Sequence, residues 1–147
     1  MTGTSNTALR ATAGLASIAA GALHWDIWAN HGYRATPIRE MFIASAVVAV
    51  VLGLVAVVPK RAAAMPAAVA NALFLGAFTL SRVSTVPTFH GKWSESGLAP
   101  KDAMILGVST TLLLLVAEGL TVVCGLASLL LGRPRRSVPL PGAVARA

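Results

Sequence analysis

The sequence predicts an all-α integral membrane protein whose four transmembrane helices form an up-down-up-down antiparallel bundle. Of the 147 residues, 56% are hydrophobic and 12% are charged, against about 25% charged residues in an average soluble domain. Four apolar segments approach the length of about 20 residues that a bilayer-spanning helix needs. The net charge of +7 lies at the ends of these segments. It therefore indicates orientation in a lipid bilayer, and no nucleic-acid partner is expected.

The predicted spans cover residues 11–29, 41–58, 62–80 and 103–131 of a single domain, residues 1–132. Span one has small residues in its apolar part, span two has no charge, span three is rich in Ala, and span four contains one charge, Glu118. Arg10 and the small residues 20–22 also fit a cleaved signal peptide, so both retention and cleavage of span one stay open. Residues 133–147 predict a disordered, basic cytoplasmic tail.

Helix starts and small residues support this arrangement. Thr36 and Pro37 fit the start of the second helix, and Pro100 with Asp102 in the first turn fits the start of the fourth. Small residues spaced four apart lie on one face of a helix and allow helices to approach closely in lipid. The predicted packing rows are Ala13, Ser17 and Gly21; Ser45, Ala49 and Gly53; and Ala64, Ala68, Ala72 and Gly76.

Basic residues predict the orientation. With four spans, both termini lie on one side of the membrane. That side carries basic residues and no acid, whereas the other side has a nearly balanced charge. The positive-inside rule places both termini in the cytoplasm. The unopposed basic residues are Arg10, Lys60, Arg61, Arg133, Arg135, Arg136 and Arg146.

The stretch GALHWDIWANHGYR, residues 21–34, lies where span one reaches the outer face. Its aromatic residues fit an interfacial belt. We call the polar and aromatic residues of this face and of the loop before span four the outer pole, and expect it to contact a protein partner, a ligand or a second copy of the chain. Its predicted interaction residues are Trp25, Asp26, Trp28, Tyr33, Arg34, Trp93 and Glu95.

Three histidines are candidate metal ligands: His24, His31 and His90. Imidazole is a common ligand of zinc and copper. His24 and His31 are about 10 Å apart along a continuous helix, so they could share one ion only if the helix ends between them. The alternative is that these histidines bond to backbone or water at the interface. No cofactor is predicted, and a metal or haem stays an alternative.

Glu118 and Asn71 are the polar residues predicted within the membrane. A carboxyl group in a span is costly and suggests either function or a hydrogen-bonded partner. We expect Glu118 to bond to Asn71, or to Thr79 nearer the outer face. A proton or substrate pathway and a contact with another subunit are the alternatives.

The motifs ALHWDIWANHGYRATPIREMF and LSRVSTVPTFHGKWSE, followed by AEG in the last span, resemble a group of small four-span membrane proteins of high-GC Gram-positive bacteria. The resemblance covers about Ala22–Gly119 and implies a bacterial plasma membrane location. The group has no assigned activity. The resemblance marks His24, Tyr33, Arg34, His90 and Glu118 as positions of interest.

These observations predict a small, multi-pass membrane protein that is a non-enzymatic accessory or interaction subunit in the lipid bilayer. One alternative is a metal- or haem-handling membrane protein that uses the three histidines. The other is a small transporter or proton-coupled carrier centred on Glu118. No set of nucleophile, base and orienting residue is apparent, which makes an enzyme the less favoured class.

Overall fold

The computed structural model describes residues 3–30, 38–60, 62–83, 104–105 and 107–131. The described chain is mostly helical, as predicted. A short antiparallel hairpin of two strands before the last helix is its one departure from an all-α fold within these ranges. The elements are α1 (Gly3–Asn30), α2 (Ile38–Ala56), α3 (Met65–Val83), β1 (Met104–Ile105), β2 (Val108–Ser109) and α4 (Thr110–Leu131).

The predicted start of the last helix near residue 103 is wrong. Met104 pairs with Ser109 and Ile105 pairs with Val108 in the hairpin, and α4 begins only at Thr110. Gly107 has a φ of 80°, a left-handed conformation that glycine adopts without steric cost. Hydropathy alone cannot distinguish this apolar hairpin from a first helical turn. The first turn of α4 contains no acidic residue, and Pro100 and Asp102 lie outside the described residues.

Helix α1 is longer at its start than the predicted span one, because it begins at Gly3 rather than near residue 11. Two polar side chains of this added segment pack against the bundle. The Asn6 side chain donates a 2.9 Å hydrogen bond to the backbone oxygen of Ser128, and Arg10 is 8% exposed. The predicted start of α1 was based on apolar content alone. The observed helix begins earlier because its first turns also contact α4. Thr36, Pro37 and the predicted tail, residues 133–147, lie outside the described residues.

Helices α1 and α2 pack closely in an antiparallel pair, as the small-residue rows predict. The backbone oxygen of Gly53 would lie 2.7 Å from a Cβ atom added at Gly14, and that of Ala46 would lie 2.8 Å from one added at Gly21. Midway, the Ser17 hydroxyl donates a 2.8 Å hydrogen bond to the backbone oxygen of Ala49. Glycine at these positions allows the two backbones to approach.

Helix α4 packs between α1 and α3, antiparallel to both. Near one end of the bundle Asn6 of α1 bonds to Ser128, and toward the other end His24 of α1 bonds to Glu118. On the α3 side, a Cβ atom added at Gly125 would lie 2.7 Å from the Cβ atom of Ala68. The described helix α4 therefore runs opposite in direction to α1 and α3.

The packing row predicted for α3 holds only at its start. Ala64 and Ala68 are buried, but Ala72 and Gly76 are exposed. A Cβ atom added at Gly76 would meet no described atom within 4 Å. The spacing identified a face, but in this part of α3 the residues that approach the other helices are Phe74 and Phe78, on a different side of the helix. The predicted close contact at Gly76 is therefore wrong.

The bundle buries small and polar residues and exposes many large apolar ones. The six largest fully buried side chains are all polar, whereas many leucines and valines of the four helices are exposed. By length and hydropathy, α4 is the one helix of the described ranges that is long and apolar enough to cross a membrane, and Glu40–Ala56 and Met65–Leu80 form shorter apolar helices. The buried side chains in question are Glu118, Asn71, Thr110, Thr121, Ser17 and Ser128.

Candidate ligand cavity at the His24–Glu118 pair

A buried histidine–glutamate pair joins α1 to α4. The Nε2 atom of His24 lies 3.0 Å from Oε1 of Glu118, and the two side chains are 7% and 2% exposed. The partner predicted for Glu118 is therefore wrong: neither Asn71 nor Thr79 bonds to it. Thr79 instead donates to the backbone oxygen of Leu75 in its own helix.

Seven-residue spacing on α1 brings His24 to the bundle interior. Arg10, Ser17 and His24 lie seven positions apart and are all buried. A seven-residue repeat corresponds to nearly two helical turns, so the three side chains lie on one face of α1. On α4, Glu118 and Thr121 occupy the opposing buried face.

Two phenylalanine rings enclose His24 from the other helices. The ring centroid of Phe42 in α2 lies 5.8 Å from that of His24, and the ring centroid of Phe74 in α3 lies 5.4 Å away in an edge-to-face arrangement. All four helices therefore contribute to the surroundings of the pair. Aromatic contacts at such distances favour one orientation of the imidazole ring.

A cavity of about 90 Å³ adjoins the pair. Its walls are almost entirely apolar and aromatic, and it is partly open to the surroundings of the bundle. His24 and Glu118 are the two titratable residues among its described lining. The lining residues are His24, Ile27, Met41, Phe42, Ser45, Phe74, Ala77, Phe78, Thr111, Leu114, Leu115 and Glu118.

The hydrogen bond between His24 and Glu118 contains one hydrogen atom, which either side chain can supply. Either the Nε2–H group of His24 donates to the carboxylate of Glu118, or the protonated carboxyl group donates to Nε2. If the imidazole is charged, the carboxylate neutralises it. With one proton beyond neutral imidazole and carboxylate, the pair has a net charge of zero, and without that proton it has a net charge of −1.

The second nitrogen of His24, Nδ1, is buried and has no hydrogen-bond partner among the described residues. Ser45 lines the same cavity, but its hydroxyl is not bonded to this nitrogen. Within the described residues, the pair is therefore not extended into a nucleophile–base–acid arrangement. Its chemistry, as arranged here, is hydrogen bonding and proton exchange beside an apolar space.

A second polar cluster lies midway along the bundle and includes the predicted intramembrane residue Asn71. Its Nδ2 group donates to the Ser17 hydroxyl at 3.1 Å and to the backbone oxygen of Ala67 at 2.9 Å. Ser17 in turn donates to Ala49. This cluster links α1, α2 and α3, and it fits a packing role.

Among the described residues, no group of three His, Cys, Asp or Glu side chains is placed to hold a metal ion. His31 and His90 lie outside the described residues, so the predicted three-histidine site stays a prediction. His24 bonds to Glu118, and these two residues are the only titratable side chains in the described lining of the cavity.

The described part of the predicted outer pole forms local contacts. The rings of Trp25 and Trp28 lie 4.7 Å apart, and Asn30 donates a 2.6 Å hydrogen bond to Asp26. Trp25 is half exposed, which fits an interfacial residue. The remaining predicted residues of the pole lie outside the described ranges: Tyr33, Arg34, Trp93 and Glu95.

Sequence reasoning identified His24 and Glu118 separately but did not pair them. Two features could have done so. With α4 beginning at Thr110 rather than near residue 103, His24 and Glu118 lie at similar distances from the same end of the antiparallel helices α1 and α4. The seven-residue spacing with Ser17 also places His24 on the packed face of its helix. No sequence pattern indicated that Phe42 and Phe74 would contact His24.

No family model matches the chain, and neither the curated proteins nor the solved structures contain a match to it.

Proposed function

We propose that this chain is a small multi-pass membrane protein that binds the compact apolar part of a ligand in the His24–Glu118 cavity. The observation that carries the proposal is a buried, hydrogen-bonded pair of ionisable side chains in the wall of an apolar cavity. Cavities that bind small molecules combine mostly apolar walls with a few convergent polar groups. The protein would act as a ligand-binding accessory subunit rather than as an enzyme.

The distribution of polar and apolar side chains supports a location in the bilayer. The largest fully buried side chains are polar, most of the other buried residues are alanines, and large apolar residues cover the outside. In water this arrangement would expose a large apolar surface, which soluble monomers avoid. Only 33% of the most apolar part of α4 is buried by the protein, and lipid would cover the rest. Four spans with both termini in the cytoplasm is the topology we propose.

Cysteine labelling in intact cells tests this topology. In a Cys124→Ala background, Ser94→Cys is expected to react with a membrane-impermeant maleimide added outside the cells. The matched variant Lys60→Cys, in the turn between α2 and α3, is expected to react only after lysis. Labelling of Lys60→Cys, but not Ser94→Cys, in intact cells would contradict the orientation, and recovery of the protein in the soluble fraction would contradict membrane insertion.

Cavity volume sets the size of the bound group. A dry apolar cavity of about 150 Å³ takes benzene, with its six heavy atoms. By the same proportion, the ≈ 90 Å³ found here holds about four heavy atoms. A tert-butyl or trimethylammonium group has this size and shape. The rest of a larger molecule would extend through the open side of the cavity.

Two probes of the same shape test the cavity: 3,3-dimethylbutan-1-ol, which is neutral, and choline, its cationic counterpart. We expect at least one to bind the purified protein in detergent. Ala77→Phe, which places a ring at the exposed edge of the cavity, should abolish that binding. Ala72→Phe, on the same helix but outside the lining, should retain it. The proposal is wrong if neither probe binds, or if binding is equally strong in the Ala77→Phe variant.

A further inference from the structure

We infer that the ligand of this cavity is a cation with a compact apolar headgroup, such as a substituted ammonium, and that it binds in exchange for the proton of the His24–Glu118 pair. The inference rests on the proposed function and adds the chemical class of the ligand. It combines the carboxyl group of Glu118, the phenylalanine rings of the lining and the charge balance of the pair.

The first argument is the composition of the walls. Glu118 supplies a buried carboxyl group, and Phe42, Phe74 and Phe78 supply aromatic rings from two other helices. Ring faces attract cations, and cages of aromatic side chains recognise substituted ammonium groups. A carboxylate in an apolar environment strengthens this attraction, because the interaction of charges increases as the dielectric constant falls.

The second argument is charge. No other titratable side chain faces the pair from any described helix around it: α2 contributes Met41, Phe42 and Ser45, and α3 contributes Phe74, Ala77 and Phe78. The nearby acids Asp26 and Glu40 are not in the lining. The carboxyl group of Glu118 is therefore the single negative charge that the described cavity can offer.

Exchange keeps the cavity neutral. In the proposed exchange, the pair before binding holds one proton more than neutral imidazole and carboxylate, and its net charge is zero. A monovalent cation would raise the net charge to +1, which is unfavourable in an apolar cavity. If the proton leaves to solvent as the cation enters, neutral His24, the Glu118 carboxylate and the cation again sum to zero. One proton is released for each cation bound, and no covalent bond is formed or broken other than the one to this proton.

The decisive comparison is between choline and 3,3-dimethylbutan-1-ol on the same purified protein. We expect choline to bind at least about tenfold more tightly, since both the carboxylate and the rings favour the charged headgroup. In weakly buffered solution, choline should release about one proton per molecule bound, measured with a pH indicator. The neutral alcohol should release none.

Substitutions then test which side chains cause the preference for choline over the alcohol. Glu118→Gln keeps the shape of the side chain and removes its charge, so the preference for choline over the alcohol should fall to the part that the rings contribute, and no proton should be released. Phe74→Leu should reduce the ratio of the two affinities severalfold. Glu40→Gln, which removes a carboxylate outside the cavity, is the matched control and should leave the ratio and the proton release of the parent protein unchanged.

The outcomes separate the two proposals. Failure of both probes to bind contradicts the proposed function. Binding of the alcohol as tight as that of choline, or choline binding without proton release, contradicts the cation-exchange inference and leaves the apolar cavity as a binding site. These comparisons are made on the parent protein, so they hold even if Glu118→Gln does not fold.

Discussion

Close packing between α1 and α2 predicts that adding one methyl group at Gly53 destabilises the bundle, whereas adding one at Gly76 does not. At Gly53 the new Cβ atom would lie 2.7 Å from the backbone oxygen of Gly14 and 3.1 Å from the backbone nitrogen of Ile18. Backbone atoms cannot rotate away as the end of a side chain can. At Gly76 no described atom lies within 4 Å.

The size of the effect follows from these distances. Ordinary contacts begin near 3.4 Å, so α1 and α2 must separate by several tenths of an ångström at Gly53. Overpacking of this kind costs about 1–3 kcal/mol, and a gap of about 0.5–1 Å forfeits a quarter to a half of the dispersion energy of the contacts it opens. Alanine also gains up to about 1 kcal/mol in helix propensity over glycine. Since both variants receive this gain, their difference in unfolding free energy should be about 1–3 kcal/mol.

Titration with a denaturing detergent, followed by circular dichroism, would measure the two unfolding free energies. Gly76→Ala should be as stable as the parent protein or more stable, and Gly53→Ala should be less stable than Gly76→Ala. The double variant Gly14→Ala/Gly53→Ala should lose less than the sum of the single losses, because both methyl groups separate the same two helices. Equal stability of Gly53→Ala and Gly76→Ala would refute the packing described here.

Two further predictions use the same measurement. Ser17→Ala removes the hydrogen bonds that join three helices and should cost about 0.6–1.7 kcal/mol, whereas Thr79→Val removes only an exposed bond within α3 and should cost less; the reverse order would contradict the structural role of the cluster. Glu118→Leu leaves Nε2 of His24 buried without its partner and should cost about 1–3 kcal/mol, whereas Glu118→Gln should stay close to the parent protein. A Leu variant as stable as the Gln variant would show that the pair does not stabilise the bundle.

Sequence periodicity alone determined much of the architecture. Four long apolar segments required helices, and the short connections required neighbouring antiparallel pairs. The spacing of Ser17 and Gly21 in α1, and of Ala49 and Gly53 in α2, correctly identified the packed faces. A face is a local property, because side chains four residues apart lie on the same side of a helix whatever the helix packs against.

In contrast, the boundaries of the helices and the partners of buried side chains depend on residues far away in the chain. Hydropathy placed the start of α4 too early, since the pairing of Ile105 with Val108 is as apolar as a helical turn. It also started α1 too late, because Asn6 is held in the bundle by the backbone oxygen of Ser128, far away in the chain. For Gly76, the four-residue spacing was correct but no neighbouring helix covers that position.

The sequence by itself determined that His24 and Glu118 lie within helices, and that rows of small residues mark the packed faces of α1 and α2. Only the tertiary structure decided that Glu118 bonds to His24 rather than to Asn71. Periodicity specifies a direction around each helix axis, but a partner also depends on which helices are neighbours and on how far each is rotated. Contact of α4 with α1 brings the imidazole within 3.0 Å of the carboxyl group, and the contributions of Phe42 and Phe74 from two further helices complete a cavity that no single segment encodes.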